Sequence, residues 1–329
     1  MRKIFILSSA IFLSPACLFA QTIGKDAQAA ATQTVKTVDD TTFKKGWKKG
    51  GVISVSVTQV NNSNWVAASG NNFSFSMAGT LNAFATKKWS NKTWDNVLDA
   101  SYGVVNTTST GPRKVNDLLN FVSKLGLQPN NWKNTSITFL GQLRSQIANG
   151  YDYNYFGSGQ KRKNSGFFSP AYITIAPGID WKPKPWLSVF ASPVAARWTV
   201  VDDSYSFASP TGYFNGNKET PLATLYGVDS TKKSLAQFGA FVTITAKKEI
   251  SKNVIYAGRI DLYSDYLQKP QNIGIFMTNQ FFMKVNKWLS VTYELDFIYD
   301  DKIKQSANPT ETVGLQVLST LGVGIAAKF

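Results

Sequence analysis

The last nine residues constrain the fold most. Leu321, Val323, Ile325, Ala327 and Phe329 fall on one face of an extended strand, while Gly322, Gly324, Ala326 and Lys328 fall on the other. An apolar face that runs to a terminal aromatic suits a strand whose outer side lies in lipid and whose end sits at the membrane interface. A soluble domain more often frays at its terminus. The pattern predicts an all-β fold: a transmembrane antiparallel up-and-down β-barrel of about 12 strands, closed by its C-terminal strand. On that reading the five apolar positions are also the signal met by the barrel insertion machinery, with Phe329 completing it.

The opposite end agrees. Arg2 and Lys3 precede an apolar run from Ile4 to Leu13, with small residues at Pro15, Ala16 and Ala20. This predicts a signal peptide over residues 1–20, cut between Ala20 and Gln21. A lipoprotein anchored at Cys17 is the rival, weakened by Ser14 where a lipobox wants leucine. Cys17 is the one cysteine of the sequence, so its removal leaves no disulfide and no thiolate metal site. Residues 21–50, rich in Ala, Thr and Gln and without alternation, read as an N-terminal tail in the periplasm. Residues 51–329 are left for the barrel.

Period-2 stretches recur along that length. Ile53, Val55 and Val57 alternate with Ser54, Ser56 and Thr58, and Leu289, Val291, Tyr293, Leu295 and Phe297 alternate with polar residues. Pro177 and Pro193 sit awkwardly in two further strands, because proline cannot donate to a ladder. Long links near 59–71, 104–113, 148–168, 200–233, 265–271 and 300–311 alternate with short ones near 86–93, 127–134, 182–185, 248–251 and 286–287. Outer-membrane barrels keep short turns in the periplasm and long loops outside, so both chain ends are expected on the periplasmic side. The short turns pair lysine with tryptophan, as in Lys87-Lys88-Trp89 and Trp181-Lys182-Pro183-Lys184-Pro185-Trp186. Tryptophan favours the headgroup level and lysine can reach lipid phosphate along its stem, which predicts a girdle against outer-membrane lipid.

The chain has 35 Lys and Arg against 20 Asp and Glu, a formal net charge of +15. Such a balance often marks a nucleic-acid binder. An exported address removes that partner, and the girdle accounts for much of the excess. Histidine is absent from the whole sequence. Ser-His and Asp-His hydrolases are thereby excluded, and no enzyme class, cofactor or metal is indicated. Asp202-Asp203 and Asp300-Asp301 lack the ligand spacing of a calcium loop and read as solvated acids. Gly322-Val323-Gly324 mimics a dinucleotide fingerprint but leaves no room for the helix that must follow.

Charges facing lipid near the midplane are costly. Parity therefore turns Asp99, Arg144, Asp180, Arg259, Asp261, Glu294 and Asp296 into the lumen as a charge network, with Tyr172, Phe241 and Tyr263 beside them. Two roles are open: ion pairs that knit the interior shut, or charges that line a path and select solutes. In the external link near 148–168, Tyr151-Asp152-Tyr153 and the basic triplet Lys161-Arg162-Lys163 could meet a sugar or a phosphate. A strand that rises above the membrane explains the same run.

Several segments share their order with a known family. They are Asn64-Trp65, Gly70-Asn71-Asn72, Trp94-Asp95-Asn96-Val97-Leu98-Asp99, Tyr102-Gly103, Arg113-Lys114-Val115-Asn116-Asp117, Gly150-Tyr151-Asp152-Tyr153, Tyr299-Asp300-Asp301 and the closing Gly322-Val323-Gly324 with Lys328-Phe329. Through them, residues 47–329 resemble a Bacteroidota outer-membrane β-barrel family known only as a domain of unknown function. The departure is Val66-Ala67-Ala68-Ser69-Gly70, one glycine where that family tends to have a pair. The resemblance implies a fold and an outer-membrane address, and no activity. Two functions follow as expectations: a narrow pore or binder for small polar solutes, or a non-transporting structural or accessory subunit held to a protein partner.

Overall fold

The computed structural model describes residues 45–61, 73–153, 162–201, 213–214, 217–218, 222–286, 289–303 and 313–328. In chain order the strands begin with β1 (Gly46–Asn61), β2 (Phe73–Lys88), β3 (Lys92–Thr107), β4 (Gly111–Leu127) and β5 (Thr135–Ser145). A short hairpin, β6 (Gly150–Asp152) and β7 (Arg162–Ser165), precedes β8 (Ala171–Lys184) and β9 (Leu187–Val200). A second, β10 (Tyr213–Phe214) and β11 (Asn217–Lys218), precedes β12 (Ser234–Ser251) and β13 (Val254–Asp265). The chain closes with β14 (Ile273–Lys284), β15 (Leu289–Tyr299) and β16 (Gln316–Lys328).

The barrel runs β1-β2-β3-β4-β5-β8-β9-β12-β13-β14-β15-β16 and back to β1. It is a twelve-stranded closed transmembrane barrel. Alternation dictates this. Ile137, Phe139, Ile175, Ile179, Val323 and Ile325 stand exposed on the outer side, while their sequence neighbours Thr138, Leu140, Thr174, Ala176 and Asp180 are buried. An apolar surface of that extent belongs in lipid. Closure gives every strand a neighbour on both sides, with β1 and β16 joined over only part of their length.

Three details depart from the expected plan. β1 starts at Gly46, with Trp47 opposite Lys87 and Lys49 opposite Ala85, so residues 46–50 belong to the wall and not to the tail. Consecutive lysines concealed the alternation there. The long link expected at 104–113 shrinks to residues 108–110, because β3 and β4 continue their ladder to Thr107 and Gly111. The prolines of β8 and β9 lie where the ladder slips, between Ile175 and Ile179 on one side and Gly239 and Phe241 on the other. Ser192 bridges the break, its hydroxyl 2.6 Å from the Pro177 carbonyl. A bulge of this kind changes which residues face inward.

The closing seam is the shortest pairing in the wall. β1 meets β16 only from Val52 opposite Lys328 to Ser56 opposite Gly324, whereas β1 meets β2 from Gly46 to Asn61. At Gly324 a side chain would stand 2.5 Å from the Val55 carbonyl oxygen and 2.9 Å from the Ser56 Cα. Only glycine allows the strands to approach so closely there. Phe329 lies outside the described residues, and Ala327 is described only by its backbone, opposite Ile53.

Candidate functional site

The lumen is built from two unlike halves. Along β4, β5, β8, β9, β12 and β13 the inward positions carry bulk. Val122, Leu140, Ala176, Phe190, Ala195, Phe241 and Tyr263 form one buried cluster across the interior. Charges are set around it. The Arg259 Nε donates to Asp261 Oδ1 at 2.7 Å, with both side chains buried. Asp99 accepts from the Asn82 amide and, at 3.5 Å, from Asn120, which in turn accepts from Gln142 at 3.1 Å. Arg259 and Lys247 place their positive charge toward Asp99. Asp180 lies 4.0 Å from Lys124 and 3.9 Å from Lys182, and accepts from Ser188 at 2.6 Å. Arg144 stacks over Tyr172 at 4.4 Å and over Phe276 at 5.0 Å.

One cavity sits in this half, between Arg144, Tyr172, Arg197, Phe241, Asp261 and Tyr263. The space open to water centres is about 20 Å³. A single water needs roughly 10–15 Å³ by that measure, so one or two waters fill it. The Tyr263 hydroxyl, which lines this cavity and finds no protein hydrogen-bond partner among the described residues, points to bound water as its complement. This half is packed shut.

Toward the long-loop end the closure continues. The link after β9 folds inward as a 3₁₀ turn, Leu222–Tyr226. Leu222, Ala223, Leu225, Tyr226 and Val228 pack against Phe276 and Ile298 on the inner faces of β14 and β15. The Tyr226 hydroxyl donates to the Asn164 carbonyl at 2.8 Å. Beside it, Arg197 donates to Asp300 at 3.1 Å and to Gln237 at 2.9 Å, and Gln237 and Lys302 both reach Asp265. Asp300 is thus a buried anchor rather than a solvated acid, and Asp301 accepts from Asn272 at 2.8 Å. A third lock is Lys114, held by Asp117 at 2.8 Å, Gln146 at 2.6 Å and the Ala148 carbonyl at 2.8 Å.

The other half carries almost no bulk. Inward positions around the β1–β16 seam are Ser54, Ser56, Thr58, Ala78, Thr80, Ser290, Thr292, Gly322 and Gly324, while further along the same faces Asn82 of β2 and Asp296 and Ile298 of β15 join the packed interior. Thr58 and Thr80 are exposed although they face inward, and Ser54, Ser56 and Thr292 keep partial exposure. Ser54 and Thr80 share a hydrogen bond at 2.6 Å. Small hydroxyl side chains leave space that the opposite half fills.

Of the predicted charges, Asp99, Arg144, Asp180, Arg259, Asp261 and Asp296 are buried on the inward side. Glu294 lies on β15 opposite Gln280 and Thr320, and its side chain is outside the described residues. The structure brings Arg259, Asp261 and Asp99 together and keeps Asp180 apart, with Lys124. Lys124, Arg197, Asp265 and Lys302 were not anticipated. Parity alone finds Lys124, since it continues Asn120 and Val122. Arg197 is hidden by the Ser192–Ala195 bulge, which reverses the parity that precedes it. Leu321, Val323 and Ile325 face outward and are exposed. The Tyr151 and Tyr153 rings meet at a tilt of 58° with centroids 6.0 Å apart, and the Arg113 guanidinium lies 4.4 Å from the Tyr153 ring. Asp202, Asp203 and Lys161 lie outside the described residues. Among the described residues no cluster of His, Cys, Asp and Glu has the geometry to hold a metal ion.

Residues 57–151 match the model of a family described as Protein of unknown function (DUF3078). No curated protein matches the chain. Among solved structures, the translocator domain of the autotransporter NalP from Neisseria meningitidis is 8% identical, covering 88% of this chain and 90% of its own, with a TM-score of 0.38. An outer-membrane channel from Pseudomonas putida F1 is 10% identical, with 87% and 97% covered and a TM-score of 0.38. The NanC porin is 9% identical, with 84% and 97% covered and a TM-score of 0.32. At these scores the likeness is one of general form only.

Proposed function

We propose that this chain is an outer-membrane barrel that passes or holds small polar solutes along a narrow hydroxyl-lined path, and that it performs no catalysis. The observation that carries the reading is the unequal lumen: Ser54, Ser56, Thr58 and Thr80 remain accessible while the facing half is packed. A path bounded by serine, threonine and glycine offers hydrogen bonds without fixed charge, which suits neutral hydroxylated solutes. The paired charges of the packed side stabilise the wall and do not select, and Asp296 of β15 is buried away from the path. The Trp and Lys girdle supports an orientation with the short turns and the N-terminus in the periplasm. Lys87 lies 5.4 Å from the Trp47 ring and 4.8 Å from Trp89, and Lys248 lies 5.3 Å from Trp186. Such pairs suit a membrane–water boundary. Chain entry into the membrane is assigned to the barrel insertion machinery, acting on Leu321, Val323, Ile325, Ala327 and Phe329.

Swelling of vesicles that contain the refolded protein tests the path. Glycerol should enter, a trisaccharide should not, and Thr80→Trp should slow glycerol while the barrel stays folded. A second reading, a non-transporting scaffold for a protein partner, is favoured by the inward-folded turn Leu222–Tyr226. Vesicles that fail to swell with either the parent protein or Leu225→Ala would decide for the scaffold.

A further inference from the structure

The seam between β1 and β16 is joined over only part of its length. Below, Val52–Ser56 pair with Gly324–Lys328. Above, Val57–Asn61 continue to pair with Met77–Phe73 of β2, and Gln316–Val323 continue to pair with β15. Both strands remain extended, yet among the described residues neither hydrogen-bonds the other beyond Ser56 and Gly324. Gly322 still lies within van der Waals reach of Ser56; beyond it, among the described residues, the ladder ends as a wedge in which the facing edges of β1 and β16 lack each other as partner. It opens at the level of lipid, since Val57, Val317, Leu321 and Val323 are exposed on its outer side, Leu321 at 67%. On its inner side lie Ser56, Thr58 and Gly322 of the hydroxyl-lined half.

Unpaired backbone N–H and C=O groups do not rest in hydrocarbon. The wedge must hold water or a polar group, in contact with acyl chains outside. Above the packed side, Leu222, Leu225 and Tyr226 narrow the long-loop mouth against Phe276 and Ile298. We infer that the upper seam is a lateral portal through which a single-chain amphiphile passes between the lumen and the bilayer. Its small polar head is met by Ser56, Thr58 and the free edges, and its alkyl chain by Val57, Leu321 and Val323. The inference deepens the solute-path reading and rests on its hydroxyl-lined half.

Photo-crosslinking in vesicles tests it on the full chain. p-Benzoylphenylalanine is placed at Thr58, which faces inward, and separately at Val57, which faces lipid. The probe is a lysophospholipid with a labelled headgroup, and heat-modifiable migration selects folded protein. The expected result is lysophospholipid adducts at both positions, with the Thr58 yield falling several-fold under excess unlabelled lysophospholipid. Adducts at Val57 and none at Thr58 would overturn the portal. So would a Thr58 adduct with the mass of a second chain, because the edges would then be a strand-pairing site. Glycerol swelling without Thr58 adducts removes the portal and leaves the polar path; Thr58 adducts without swelling keep the portal and remove the axial route.

Discussion

The two halves of the lumen share one backbone plan and differ in what their inward positions carry. From β4 to β13 those positions hold Leu140, Phe190, Phe241, Tyr263 and a set of paired charges. Around the β1–β16 seam they hold serine, threonine, alanine and glycine, with Asp296 and Ile298 of β15 and Asn82 of β2 joining the packed side. A twelve-stranded ring lies between barrels that side chains fill and barrels that leave a channel, so inward side-chain volume decides the outcome. Here it decides differently on opposite sides. One side is packed, and on the other small hydroxyl side chains keep part of their surface accessible.

The largest expected effect breaks the packed half. Arg259→Ala leaves Asp261 buried without the cation it accepts from and takes one of two nearby cations from Asp99, and a loss of about 3–5 kcal/mol is expected. Thermal melts followed by heat-modifiable migration measure it. A loss of about 1 kcal/mol or less would mean that water reaches Arg259 and that the halves do not differ as described. Next comes Leu225→Ala, which removes a buried side chain of the inward turn. It should cost about 2–5 kcal/mol at the site and raise solute entry at the long-loop mouth. Unfolding confined to the 222–228 segment, seen by amide exchange, would sharpen the contrast between mouth and wall.

Gly324→Ala strikes the seam instead. A methyl 2.5 Å from the Val55 carbonyl should cost about 1–3 kcal/mol and lower the yield of closed barrel. On the accessible half, Thr80→Trp should move the melting point little, within about 0.5 kcal/mol, while slowing glycerol entry. A large melting shift without a change in entry would show this half to be packed as well.

The smallest effect lies outside the membrane. Asp229 accepts the Thr231 hydroxyl at 2.6 Å and its backbone N–H at 2.8 Å, and these hold its carboxyl below the ordinary value of 3.8. A lowered folded-state value favours the ordered turn above that pH, and the benefit fades as pH falls through the lowered value. The protection of the Thr231 amide, relative to its intrinsic exchange rate at each pH, should therefore fall only in strong acid. Loss of that protection near neutrality would contradict the turn.

The wall was legible in sequence because lipid demands strict alternation, and strands such as Leu289–Tyr299 display it openly. Inward charges followed from the same parity. What escaped did so where parity is broken or masked. The bulge at Ser192–Ala195 turns Arg197 inward against the count. Lys48 and Lys49 disguise the start of β1. A five-residue 3₁₀ turn has too few positions to show a period, so Leu222–Tyr226 reads as loop. Partners such as Lys302 with Asp265 join residues far apart in the chain, and no local pattern announces them.

Closing the ring poses a problem of alignment. The first and last strands are the most distant partners in the chain, so their encounter is the slowest to form by topology. They are then matched by a short pairing in which any slip of two residues keeps every side chain on its proper face. Polarity cannot reject such a slip. Shape rejects one direction of it: the notch at Gly324 admits the Val55–Ser56 backbone, and a shift that brings Ala326 opposite Ser56 meets a methyl group there, whereas the opposite shift brings another glycine, Gly322. The missing side chain thus acts as a key cut into the final strand, which tells the first strand where to stop.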